Sequence, residues 1–130
     1  MALSKHKKDK EKLEFLLRAH GIDFRKEYQF YSDRRWRFDY AIIDKKIAIE
    51  YDGGTFMRKS GHNTGTGIEK DIIKHNVAHL LGWRVFRVTG ALFTERGKYG
   101  QYINNLIRLI KEPNGGNAVW EVMGRYGLQK

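Results

Sequence analysis

Two short apolar runs, Trp36–Ile43 and Ile47–Asp52, are separated only by Asp44, Lys45 and Lys46, and each carries an acid among its apolar residues: Asp39 and Glu50. Runs of this length, rich in Ile, Phe and Tyr, read as β-strands, and so short a polar connection closes them into a hairpin. Side chains alternate across a strand, so an acid amid apolar neighbours lies at the sheet's rim or is buried with a partner. Two such acids on paired strands converge closely enough to repel each other unless a cation sits between them. Mg²⁺ suits that position, because one or two carboxylates hold it while waters and phosphate oxygens complete its shell. The structural alternative pairs Asp39 with Arg37 or another arginine.

The rest of the chain supplies a sheet and helices around that hairpin. Ser4 to His20 reads as a helix with Leu13, Leu16, Leu17 and His20 on one face, stopped at Gly21. A first strand is expected over Glu27–Tyr31. Gly53 to Gly67 has no apolar period and reads as a long loop, a feature often tied to function. Ile68, Ile72, Ile73, Val77, His79, Leu80 and Leu81 then give the pattern of a buried helix ended by Gly82. Trp83–Val88 is a further strand, and the apolar spacing from Tyr99 to Ile110 gives a last helix, stopped by Pro113. The order of helix, three strands, loop, helix, strand, helix specifies a mixed α/β (α+β) domain with a sheet of about four strands flanked by helices. One domain is expected over residues 1–112, with 113–130 a tail of unassigned role.

Charge narrows the partner. The 130 residues carry a net charge of +10, a field that draws polyanions and above all nucleic acid. No apolar run approaches the roughly 18 residues of a membrane helix, and the lysine-rich start lacks the apolar stretch of a secretory signal. Without cysteine, disulfides and thiolate zinc sites are excluded, and a reducing, cytoplasmic setting is expected. No Gly-Lys-Ser/Thr phosphate loop and no serine or cysteine nucleophile motif occurs. Arg34, Arg35 and Arg37 before the first acid, with Arg58 and Lys59 in the loop, suit DNA phosphates. Phe56 or Trp36 could wedge against bases.

An Asp in one strand, a tight hairpin and a Glu in the next resemble the core of the PD-(D/E)XK nucleases. The likeness extends over Arg35–Asp39, Ile47–Gly54, His62 with Gly65, Asp71 to Lys74 with Asn76, and Leu81–Arg87. This set is similar to the very-short-patch-repair-like endonucleases and their small phage-encoded relatives, and it covers Ile22 to Thr89. The resemblance implies a restriction-endonuclease-like core and a Mg²⁺ or Mn²⁺ ion on Asp39 and Glu50, with the Tyr51 carbonyl in its shell. A glutamate of the first helix often joins such a site, and Glu14 is preferred over Glu11 and Glu27. The usual lysine two residues after the Glu is replaced by Asp52. The following helix can supply that cation, first from Lys74 and next from Lys70. A loop histidine helped by an acid can serve as general base, and His62 with Asp71 stand in suitable order.

The function expected is Mg²⁺-dependent hydrolysis of phosphodiester bonds in double-stranded or branched DNA, in repair, recombination or a phage or mobile-element role. A homodimer is a reasonable expectation for double-strand cleavage. A phage-encoded copy would work in the host cytoplasm. The rivals are a catalytically inactive DNA-binding module, favoured by the missing lysine, a structure-specific junction resolvase, and an RNA-directed protein.

Overall fold

A computed structural model describes residues 4–53, 65–93 and 100–112 of the chain. His62, Arg58, Lys59 and Phe56, and the tail after Pro113, lie outside the described residues. The elements are α1 (Lys5–Ala19), β1 (Arg25–Gln29), β2 (Arg37–Ile42), β3 (Ile47–Tyr51), α2 (Gly65–Leu80), β4 (Arg84–Val88) and α3 (Gly100–Lys111). This is the mixed α/β class and the element order expected. Among the described residues no helix is long and apolar enough to cross a membrane. The chain divides into two compact units, Phe24–Thr89 and, together, Met1–Asp23 with Gly90–Lys130.

The sheet unit holds all four strands in chain order, β1-β2-β3-β4. β1, β2 and β3 run antiparallel, and β4 returns parallel to β3 after the α2 crossover. A short 3-10 turn over Ile43–Lys45, with Lys46 in the left-handed region (φ 53°), closes the β2–β3 hairpin. The first strand lies two residues earlier than the expected Glu27–Tyr31. Its pairing with β2 sets the limit, because Gln29 opposite Arg37 is the last matched pair and Tyr31 begins the turn to Arg34.

α2 ends in a glycine-dependent motif. The N–H of Gly82 donates to the His79 carbonyl and that of Trp83 to the Ala78 carbonyl, each at 3.0 Å. Gly82 takes φ 91° there, a conformation that costs an L side chain about 1–2 kcal/mol. The motif drops Trp83 into a core of Phe38, Ala41, Ala48 and Ala78. Trp83 is 4% exposed, its ring 5.0 Å from that of Phe38. Trp83→Ala is expected to lower unfolding free energy by about 3–5 kcal/mol, measured by urea denaturation.

One expectation fails on this helix. Ile68, Ile72, Ile73, Leu80 and Leu81 are exposed, with Leu80 85% accessible, whereas Ala78 is fully buried. α2 meets the sheet through small and charged residues, Ala78 among them, so its isoleucines fall on the outward arc.

In the helical unit, Ser4 caps α1 by accepting from the N–H of Lys7 at 3.1 Å. Gly21 (φ 69°) ends the helix in the same way as Gly82, with Ile22 N–H on the Leu17 carbonyl at 3.0 Å. Leu13 and Leu17 of α1 are buried, as are Ile103, Leu106, Ile107, Leu109 and Ile110 of α3. A 3-10 turn over Gly90–Phe93 packs with both helices, and the carboxylate of Asp9 occupies the space a side chain on Gly90 would need.

Candidate active site

Strand pairing brings the two acids together. Tyr40 stands opposite Ile49, so one step further along β2 and β3 sets Asp39 beside Glu50. Glu50 is in turn the neighbour of Arg87 across the parallel β3–β4 pair. Asp39, Glu50 and Arg87 thus form a row across three strands.

The carboxylates brace each other's backbones. Asp39 Oδ2 accepts the N–H of Tyr51 at 2.7 Å, and Glu50 Oε2 accepts the N–H of Asp39 at 3.3 Å. α2 adds the cation: Lys74 Nζ lies 2.5 Å from Glu50 Oε1, with the side chains only 19% and 13% exposed. Burial pushes the Glu50 carboxyl up from its usual range. The Lys74 hydrogen bond and charge pull it back and the Asp39 charge adds to the rise, leaving it raised.

A second ion cluster ties α2 to the same strands. Arg87 donates to Asp52 Oδ2 at 2.7 Å and to Asp71 Oδ2 at 3.2 Å. Asp71 and Lys74 are three residues apart, so one helix face carries both contacts to the sheet. Together they fix α2 in register, with the Lys74 amine on Glu50. His75, next along, is pushed down in pKa by burial and by the charges of Arg87, Lys74 and His79, against the opposing charge of Asp71, so it is neutral at neutral pH.

The expected site residues therefore fall into groups. Asp39, Glu50, Tyr51 and Lys74 converge. Asp71, expected beside His62, has Arg87 as its described partner, and His62 lies outside the described residues. Lys70 is exposed on α2 and Arg34, Arg35 and Arg37 are exposed around the β1–β2 turn. Arg37 makes no ion pair with Asp39 among the described residues. Glu14 is buried on α1, in the helical unit, with Arg18 at 3.7 Å. Arg87 enters the sequence reading only as the end of the Leu81–Arg87 likeness, since nothing local distinguishes it from the other charged residues of a short strand. The one available signal was the acid two residues after Glu50, which needs a cation near it.

The donor set suits a hard divalent cation. Asp39 and Glu50 supply carboxylate oxygens side by side, and ionisation of Glu50 is opposed by burial and by Asp39, which a cation would relieve. No group of three or more His, Asp or Glu side chains is gathered for a metal among the described residues.

No known family model matches the chain, and no curated protein matches it. Among solved structures it is similar to the homing endonuclease I-Bth0305I catalytic domain, with a TM-score of 0.56 and 18% identity over 80% of this chain and 97% of that one. At that identity the likeness is one of fold: the chain shares the mixed four-stranded sheet and flanking helices with that domain.

Proposed function

We propose that the protein is a metal-dependent endonuclease that hydrolyses phosphodiester bonds in DNA, of the PD-(D/E)XK type and its very-short-patch-repair-like branch. The observation that carries this reading is the cross-braced Asp39–Glu50 pair with Lys74 on Glu50. The net charge of +10 and the fold shared with an endonuclease catalytic domain support it.

Asp39 and Glu50 would hold Mg²⁺ or Mn²⁺, with the Tyr51 carbonyl beside them; when bound, the ion lowers the pKa of a water and offsets phosphate charge. The chain's own contribution is position and charge. The strand lacks the usual lysine, and Lys74 brings positive charge to Glu50 from α2 instead, where it can steady the developing negative charge on phosphorus-bound oxygens. Arg87 holds α2 in place through Asp71, and His62 is proposed as the group that takes the proton from the attacking water. The water oxygen forms the new bond to phosphorus as the bond to the leaving sugar oxygen breaks. A repair, recombination or phage setting, action in the cytoplasm and a homodimer for double-strand cuts belong to this proposal.

Cleavage of supercoiled plasmid, a four-way junction and a mismatched duplex, each with Mg²⁺, Mn²⁺ or EDTA, tests the reading. Metal-dependent cutting supports it, and binding without cutting under every metal leaves an inactive DNA-binding module. Lys74→Ala is expected to lower kcat about 10²-fold with little change in KM, and Lys74→Arg to restore part of it. Lys70→Ala, exposed one turn before Lys74 on α2, should weaken DNA binding slightly and leave kcat unchanged. Equal losses at Lys74 and Lys70 would remove Lys74 from the chemistry. Glu14→Gln in the same panel asks whether the first helix contributes.

A further inference from the structure

The turn joining β1 to β2 carries an arrangement that phosphate hydrolysis does not use. Phe30 stacks on buried Phe38, ring centroids 4.0 Å apart and planes 5° apart. Trp36 continues the series, with centroids 6.2 Å from Phe30 and 6.1 Å from Tyr31 and ring planes within 21° of both. The guanidinium of Arg34 lies over the Trp36 ring, 5.3 Å from its centroid. The turn is braced by Arg34 N–H on the Tyr31 carbonyl at 3.2 Å and by the Gln29 amide on the Arg34 carbonyl at 2.8 Å.

The rings become accessible where the charge gathers. Phe38 is buried, Trp36 and Tyr31 are partly exposed, and Arg34, Arg35 and Arg37 are exposed. Among the described residues none of these three arginines makes an ion pair, although Asp33 sits in the same turn. Packing accounts for Phe30 on Phe38. It does not account for three like charges around the accessible end of the stack, which repel one another until an anion joins them. Arg37 and Asp39 alternate onto one face of β2, about 7 Å apart along the strand, while Phe38 between them carries the stack on the other.

We propose that the β1–β2 turn is a base-stacking platform for DNA, taking an unpaired base on the Trp36–Arg34 stack while Arg35 and Arg37 hold the flanking phosphates. Bases inside a duplex already have both faces covered, whereas an unpaired base offers its own to an aromatic ring. Arginine over an aromatic ring can extend the same stack onto the base. The inference rests on the reading that the protein acts on DNA, and it narrows the substrate to strands with unpaired bases.

The test is equilibrium binding of the full chain in EDTA at fixed salt. Its probes are a duplex, the same duplex with a central unpaired stretch and a single strand, each with 2-aminopurine at the central position. Wild type is expected to bind the unpaired probes about 10-fold more tightly than the duplex and to quench the 2-aminopurine. Trp36→Leu, which keeps apolar bulk without a ring, should lose both the preference and the quench, and Trp36→Phe should keep most of each. Thermal melts identify any variant that fails to fold, and Arg34→Ala, at an exposed position, should weaken all three probes. Equal affinity of wild type for paired and unpaired probes would overturn the platform, as would an undiminished quench in folded Trp36→Leu. Cutting in Mg²⁺ without a preference for unpaired bases retires the platform and leaves the endonuclease. Preference without cutting does the reverse.

Discussion

Asp39→Asn is expected to reduce DNA cleavage about 10³-fold or more while leaving DNA affinity in EDTA within about 2-fold of wild type. The substitution is chosen from the geometry. Asp39 Oδ2 accepts the Tyr51 N–H at 2.7 Å, and an asparagine oxygen accepts the same bond, so the β2–β3 brace survives. What disappears is the negative charge, and with it the anionic donor that the proposed cation requires. Backbone-positioning charges are elsewhere, in the turn arginines and on α2, so affinity should follow those rather than the acid. Gel-based cleavage with Mn²⁺, beside anisotropy in EDTA, separates the two. If the asparagine protein cuts at the wild-type rate, Asp39 is a structural acid and its assignment as a metal ligand fails. If wild type and variant both bind and neither cuts, the chain is a binding module on a nuclease fold.

The sequence carried the hairpin and its two acids because alternation and a three-residue polar connection are local signals. The helix stops at Gly21 and Gly82 were legible for the same reason: each requires a left-handed residue at a fixed offset from a carbonyl. Local pattern could not reveal which arc of α2 faces the sheet. A 3.6-residue period marks a helix, and the usual inference then turns its apolar arc inward. Here Asp71 and Lys74 are drawn to Arg87 and Glu50, and Ile72 and Ile73 are left outside. The same blindness hid Arg87, whose importance comes from the parallel register that sets it beside Glu50. Lys74 was legible as the first of two helix lysines, and its contact with Glu50 bears out that order.

Glu50→Gln should remove cleavage as completely as the change at Asp39, and it should also alter how stability depends on pH. Burial, with the Asp39 charge added and Lys74 opposing, raises the Glu50 carboxyl above its unfolded value. The folded protein therefore takes up a proton more readily than the unfolded chain. The stabilising contribution is present below the ordinary glutamate pKa of about 4.3 and is lost as pH rises through the raised folded value. Glutamine cannot titrate, and the other groups titrate nearly alike in both proteins. The stability difference, variant minus wild type, should accordingly grow from pH 4 to pH 7, whatever constant offset the unpaired Lys74 introduces. Urea midpoints across that range measure it, and parallel curves would show that Glu50 is not held in a costly ionised state. Divalent cation then supplies the link to function. A cation bound by the acidic pair relieves the cost of that ionised state, and at 100 times its Kd it stabilises wild type by about 2.7 kcal/mol, a gain the glutamine protein should lack. The acidic pair is thus expected to be a source of instability in the metal-free chain at neutral pH, offset on metal binding.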